Sequence, residues 1–253
     1  DVKARAMYER ALAIWEKALG PDDLQVATVL NQLANLLATT GNVAEAKPLW
    51  ERSLAIREKR LGPDHPDVAK NLNNRGMAKA GAGDYAGARP LYERALTIRE
   101  KALGPDHPDV GWSLTSLGNL ARDMGDDVKA RAMYERALAI WEKAMGPDHP
   151  MVAGAANNLA MVLAPAGERA EARRLWERTL AIWEKGGPDH PTVADALNNL
   201  GELADGDRDF VRARQLHERA WTIRSKSLGP EHSMTAWSEN SLGWVTHELG
   251  DDS

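Results

Sequence analysis

Apolar residues recur at helical spacing along the whole chain. Val193, Leu197, Leu200 and Ala204 fall at i, i+4, i+7 and i+11, one face of an α-helix. Ala88, Leu91, Tyr92 and Ala95 fall at i, i+3, i+4 and i+7. Gly-Pro pairs punctuate this pattern at Gly20-Pro21, Gly62-Pro63, Gly104-Pro105, Gly146-Pro147, Gly187-Pro188 and Gly229-Pro230, in steps of 42, 42, 42, 41 and 42 residues. Each period reads as two helices. Helix A opens at a linker proline such as Pro66, whose missing N–H costs nothing in a first turn. Asp67 there meets the positive end of the helix dipole. The helix spans about 17 residues, or roughly 25 Å. A turn such as Gly83-Asp84 leads to helix B, which runs through Ile98 to Leu103 and stops at Gly104, where a C-cap glycine belongs. Pro48 and Pro90 fall early in helix B and are expected to delay or bend its first turn.

Neither helix can bury its apolar stripe alone, so neighbouring hairpins must stack. The expected architecture is all-α, about twelve antiparallel helices with no strands. It reads as one repeat array over residues 1–253. A lone helix B fills 1–20, helix A/helix B repeats fill 21–62, 63–104, 105–146, 147–187 and 188–229, and a lone helix A fills 230–253. Residues 1–18 equal 127–144 at every position, which points to recent duplication. The chain opens inside a helix and reads as a piece of something longer.

Particular residues resemble the tetratricopeptide repeat family. Leu33-Ala34, Leu117-Gly118 and Leu200-Gly201 match its small-residue contact in helix A. Ala46, Ala88, Ala130, Ala172 and Ala213 match its small position in helix B, and Trp50, Tyr92, Tyr134 and Trp176 match its bulky one. The 42-residue period, the Leu-Gly-Pro-Asp-His-Pro linker and the Leu-Asn-Asn-Leu-Ala string are similar to the kinesin-light-chain subclass. The resemblance implies a right-handed superhelical solenoid with helix A lining its concave face. It also implies, from bacterial-type relatives, company with signalling ATPase domains. The chain departs from the pattern at Arg75, Arg208, His217 and Glu239, which replace a Leu, the inter-helix Gly, the helix-B aromatic and a second Leu. Departures gather after residue 200, where looser packing is expected.

Composition narrows the function. Net charge is −5 and the charges are interspersed, whereas nucleic-acid binding needs a basic stripe. With no cysteine, thiol chemistry and disulfides are excluded. No apolar run approaches the roughly 20 residues that span a bilayer, so no membrane partner is expected. No signal-peptide pattern opens the chain, and a cytoplasmic location is the expectation.

The candidate site is a groove along the A helices. One mid-helix position reads Asn31, Asn73, Thr115, Asn157, Asn198 and Asn240. Asn is a mediocre helix former, so five at one position need a reason. An amide both donates and accepts, so a ladder of them can hold an extended peptide by its backbone. In the resembled subclass such a ladder contacts cargo peptides. The alternative is that these amides satisfy neighbouring helix ends or are a solvated surface. Flanking positions vary, as specificity positions should: Lys70, Trp112, Asp195 and Trp237 one turn earlier, and Asn35, Asn119, Glu202 and Trp244 one turn later. Lys70 and Arg122 suit an acidic part of a ligand, and Asp195, Glu202 and Asp205 a basic part. Trp112, Trp237 and Trp244 read as aromatic anchors, or else Trp237 and Trp244 fill space beside Glu239 or cover an exposed solenoid end. Trp50 and Trp176 belong to the core, while Trp15, Trp141 and Trp183 share a position with Arg57, Arg99 and Arg224 and read as a half-exposed flank.

His65, His107, His149, His190 and His232 recur once per linker. Residues on successive hairpins stand roughly 10 Å apart per helix layer, too far for one metal ion. These histidines are expected to cap or pack the linkers, and no metal or cofactor is expected. No nucleophile or phosphate loop recurs beside them, so an enzyme is not expected. The leading reading is a scaffold for a protein or peptide ligand. The alternative is a self-assembling array stacked head to tail, since Gly250-Asp251-Asp252 followed by Asp1-Val2 would reproduce Gly125-Asp126-Asp127-Val128.

Overall fold

The structure is a computed structural model, and it describes residues 2–250. Among them are twelve helices and no strand: α1 (Val2–Leu19), α2 (Leu24–Thr39), α3 (Val43–Leu61), α4 (Pro66–Gly81), α5 (Tyr85–Leu103), α6 (Pro108–Asp123), α7 (Asp127–Met145), α8 (Pro150–Leu163), α9 (Arg169–Gly186), α10 (Pro191–Gly206), α11 (Phe210–Leu228) and α12 (Ser233–Glu248). Asp1, Asp251 and Asp252, on which the head-to-tail junction depends, lie outside the described residues.

The linker chemistry sets the helix ends. Pro66, Pro108, Pro150 and Pro191 each open an A helix. The residue before is a capping histidine. His65, His107 and His149 accept the backbone N–H two residues on through Nδ1 at 3.1 Å, and His190 and His232 do so at 3.3 and 3.2 Å. An imidazole thus serves the orphan donors of the first turn, a role that Asp23 fills for α2. The linker histidines therefore cap. Pro48 and Pro90 lie inside α3 and α5, which nevertheless start at Val43 and Tyr85, so neither proline delays its helix.

The chain divides into two compact units, residues 1–126 and 127–253. In the first, α2 packs on α3 and α4 on α5 as hairpins, and successive A helices touch, α2 with α4 and α4 with α6. In the second, the hairpins are α8 with α9 and α10 with α11, and α10 touches α12. Each hairpin closes on the same apolar register. Val68, Ala69 and Leu72 of α4 meet Ala95 and Ile98 of α5. Val193, Ala194 and Leu197 of α10 meet Ala220 and Ile223 of α11. Small residues let the bulky helix-B side chain approach. A Cβ on Gly76 would lie 2.6 Å from Cε1 of Tyr92, and one on Gly201 would lie 2.5 Å from Cε1 of His217. His217 has no exposed surface, so it occupies the bulky core place as Tyr92 does.

Consecutive B helices are joined by a repeated rung. Arg52 pairs with Glu16 at 2.5 Å, Arg94 with Glu58 at 2.6 Å and Arg219 with Glu184 at 2.6 Å. These rungs are partly exposed and worth at most about 1 kcal/mol each. They add register more than stability. In α12 the buried residues are Thr235, Ser238 and Val245, fewer than in the other A helices, whereas α10 and α11 pack fully despite the departures at Arg208 and His217.

Candidate functional site

In the first unit, Asn31 and Asn73 stand mid-helix on α2 and α4 and are buried. Asn73 Nδ2 donates to Ser116 Oγ of α6 at 3.2 Å, so this amide links successive A helices. The Oδ1 atoms of Asn31 and Asn73 are buried with no hydrogen-bond partner among the described residues. Thr115, the member without an amide, bonds back to Gly111 O at 2.9 Å within its own helix. One turn on, Asn35 accepts from Trp50 Nε1 at 2.9 Å, and Asn119 is half-buried. Lys70 is exposed, Trp112 shows half of its surface, and Arg122 pairs with Asp123 at 3.1 Å.

In the second unit, Asn157 Oδ1 accepts from Trp176 Nε1 at 3.2 Å and from Asn199 Nδ2 at 3.1 Å. Asn198 has no exposed surface at all. With its amide oriented to suit its neighbours, it donates to His217 Nδ1 at 3.1 Å and accepts from Ser238 Oγ and Arg224 Nη2, both at 3.0 Å. A ligand in the groove therefore does not touch Asn198 in this arrangement. Asn240, by contrast, is exposed. The ladder position thus brings together interior staples and surface amides, and a single mid-helix register does not decide between them.

The acidic positions are also engaged. Asp195 Oδ1 meets Arg224 Nη2 at 2.7 Å, and Arg224 lies 5.1 Å from the centroid of the Trp237 ring. Asp205 Oδ2 meets His217 Nε2 at 3.2 Å. Desolvation pushes the Asp205 carboxyl up, and burial pushes the His217 imidazole down. Glu202 reaches solvent, yet desolvation, with Asp205 adding to it, holds its carboxyl above the ordinary range.

The row shared by Arg and Trp differs from the expected half-exposed flank. Arg57 and Arg99 are each 7% exposed and Arg224 is 1% exposed, while Trp141 is buried. Trp15 and Trp183 alone are half-buried. The long arm of each Arg lies between helices. Arg99 Nη1 reaches Ser113 Oγ at 2.5 Å and Arg224 Nη1 reaches Ser238 Oγ at 2.7 Å, both fourteen residues on. Burial pushes the Arg57 and Arg99 guanidinium groups down. The signal was the matched serine, which a reading of the Arg position alone does not include.

Large apolar side chains are also left exposed on the A helices. Met77, Trp112, Met161, Trp237 and Trp244 are all exposed, and all fall at the two variable registers flanking the ladder. Among the described residues, no three His, Asp or Glu side chains converge as metal ligands do. No helix of the described residues is long and apolar enough to cross a membrane.

Comparison with known proteins places this architecture. The tetratricopeptide repeat family matches over residues 2–59, 25–101, 67–143, 116–162 and 151–225. Among solved structures, BtubC (BKLC) from P. vanneervenii is 22% identical, with a TM-score of 0.76 over 89% of this chain and 91% of its own. A putative kinesin light chain of P. anserina with nearly identical TPR-like repeats is 26% identical, with a TM-score of 0.66 over 82% of this chain and 97% of its own. A signal transduction ATPase from Pyrococcus horikoshii with a tetratricopeptide repeat sensor is 16% identical, with a TM-score of 0.73 over 98% of this chain and 37% of its own. No curated protein matches the sequence.

Proposed function

The chain belongs to the tetratricopeptide repeat family, a scaffold fold for protein–protein interaction, and on that premise we propose that it binds an extended peptide along its A helices. The observation that carries this reading is the placement of Met77, Trp112, Met161, Trp237 and Trp244. Large apolar side chains left exposed at two repeated registers flanking the ladder mark an interaction surface. The ladder contributes where it has accessible surface, at Asn157 and Asn240, and beside it at Asn35 and Asn119. Asn73 and Asn198 instead fix the spacing of the A helices that present the surface. In the first unit Lys70 offers a positive charge to an acidic ligand segment, and in the second Glu202 offers a negative charge to a basic one. The role is that of an adaptor or sensor, and no residue is assigned a catalytic task.

The test is a displayed peptide library selected on the wild-type chain and counter-selected on a Met77→Ser/Trp112→Ser/Trp244→Ser variant. These side chains are exposed, so the variant keeps its helices. Peptides enriched only on the wild type support the reading. Enrichment that is equal on both, or absent, defeats it.

A further inference from the structure

An apolar cavity of about 570 Å³ opens in the first unit, between α2, α3 and α4. Its walls include Asn35 and Ala38 of α2, Val43 and Trp50 of α3, and Met77 and Ala78 of α4. No charged residue lines it. Asn35 and Met77 also belong to the candidate groove, so the cavity opens on the groove side of this unit.

The sequence explains why this space is unfilled. Ala78 stands where the sister A helices carry Leu36, Leu120, Val162, Leu203 and Val245. Val43 stands where later B helices carry Tyr85, Asp127, Arg169 and Phe210. Those two places meet at three of the later junctions between a B helix and the next A helix. Tyr85 packs with Leu120 against the Ala88 and Tyr92 cluster. Phe210 packs with Val245. Arg169 Nη2 reaches Leu203 O at 2.6 Å, and a Cβ on Gly206 would lie 2.6 Å from that Nη2. Beside Trp50 both large groups are missing, and a Cβ on Gly81, the counterpart of Gly206, would meet nothing within 4 Å. Arg75 removes a third filler: it replaces the Leu of Leu33 and Leu117 and turns out to Glu51 at 3.0 Å.

We propose that this cavity is a docking site for one aromatic side chain of the bound peptide. The inference rests on the peptide reading above and names the residue class that anchors it. Of the four later sister interfaces, two fill the place with a ring, Tyr85 or Phe210, beside an aliphatic group, one with Arg169, and one carries Asp127 there. The cavity lining is uncharged, and Lys47, Arg75, Lys79 and Asp84 border only the adjoining hollow that shares Val43, Trp50, Ala78 and Ala82. The lining thus favours an uncharged ring over a charged head, whose desolvation would go uncompensated. The indole of Trp50 gives a flat wall for offset stacking. Asn35 and Asn74 bring amides to the lining, suited to a phenol O–H or an indole N–H.

The experiment follows the Trp50 indole N–H by nitrogen–proton correlation spectroscopy of the full chain, with the resonance assigned from Trp50→Phe. The probe is p-cresol, the side chain of tyrosine, with butylammonium as the charged comparison. The expected result is a saturable shift with p-cresol and none with butylammonium. Ala78→Leu restores the sister residue and should weaken p-cresol binding by about tenfold or more by filling the space the ring would occupy. Its thermal midpoint should hold or rise, and Val43→Tyr should block the cavity from the opposite wall. No shift in the wild type, or equal p-cresol binding in Ala78→Leu, overturns the proposal. The peptide selection separates the two readings. Groove-dependent peptides that lack an aromatic residue, or bind Ala78→Leu unchanged, overturn the anchor and leave the groove standing. Binding of p-cresol lost in Ala78→Leu, with no peptide enriched, supports the cavity and defeats the groove.

Discussion

His217 Nε2 lies 3.2 Å from Asp205 Oδ2, and no part of His217 reaches solvent. Its other nitrogen faces the Asn198 amide, so the ring is held neutral with its proton toward Asp205. Burial lowers the imidazole pKa, the nearby Arg224 guanidinium adds to this, and the Asp205 carboxylate opposes it. In the unfolded chain the ring takes a proton near its ordinary pKa of about 6.5. The stability this ring contributes is thus present above that value and lost as pH falls through the lower folded pKa. Asp205 acts in the opposite sense. Desolvation raises its carboxyl, with Glu248 adding, so the cost of its buried anion is relieved once pH falls through its raised folded value. The His217 contribution begins to fall just below pH 6.5. Thermal midpoints of the wild type and His217→Tyr should diverge there, with a difference of up to about 1.4 kcal/mol per pH unit. Effects common to both proteins cancel. Parallel pH profiles would refute the assignment.

Two glycines inside A helices should respond oppositely to the same change. Gly76→Ala drives a Cβ to 2.6 Å from the Tyr92 ring, which is itself buried. Overpacking of that kind costs about 1–3 kcal/mol. Gly243 in α12 has nothing within 4 Å of its would-be Cβ. Gly243→Ala should therefore stabilise by about 0.5–1 kcal/mol, the helix-interior difference between the two residues. Denaturant midpoints of both variants check the pair, and equal signs would contradict the packing described here.

The helices were legible because their signals are local. Gly-Pro spacing, Pro66-type starts and apolar faces each need only neighbours in sequence. The site was less legible because its chemistry depends on pairs across helices. Asn73 and Asn198 look like surface amides until Ser116 and Ser238 come within reach. Arg99 looks like an exposed flank until Ser113 meets it. Asp195 and Asp205 read as free acids for a basic ligand, yet Arg224 and His217 engage them. The cavity was written in the sequence as the single Ala78 in a column of Leu and Val, but its size depends also on Val43, Gly81 and Arg75 failing to fill the same volume.

Asn198→Ala should be costly in a way that Asn240→Ala is not. The Asn198 amide bonds the His217 ring, Ser238 and the buried Arg224. Its removal leaves those groups short of partners, a loss of about 1–3 kcal/mol. Asn240 is exposed, and its replacement should fall within about 0.5 kcal/mol of the wild type. Urea midpoints measure both. A neutral Asn198→Ala would mean that the ladder position is not structural in this unit.

Arg208 holds a backbone φ of 62°, the one positive value among the described non-glycine residues. The sister turns place glycine there, at Gly41, Gly83, Gly125 and Gly167, with φ between 78° and 88°. A side chain in the left-handed region costs about 1–2 kcal/mol, because its Cβ crowds the following carbonyl. The turn itself is satisfied: Arg208 N donates to Asp205 O at 2.9 Å and Asp209 N to Ala204 O at 2.9 Å, so the geometry is held from outside the residue. The Arg208 side chain is exposed. Arg208→Gly should therefore remove strain with little lost packing. Glycine also loosens the unfolded chain, which takes back about 0.4–1 kcal/mol. The net expectation is a gain of about 0.5–1 kcal/mol, read as a higher thermal midpoint. Arg208→Ala keeps the Cβ and should gain nothing. If alanine stabilises as much as glycine, the Arg208 side chain and not the backbone is what the fold tolerates poorly, and the strain argument at this turn is wrong.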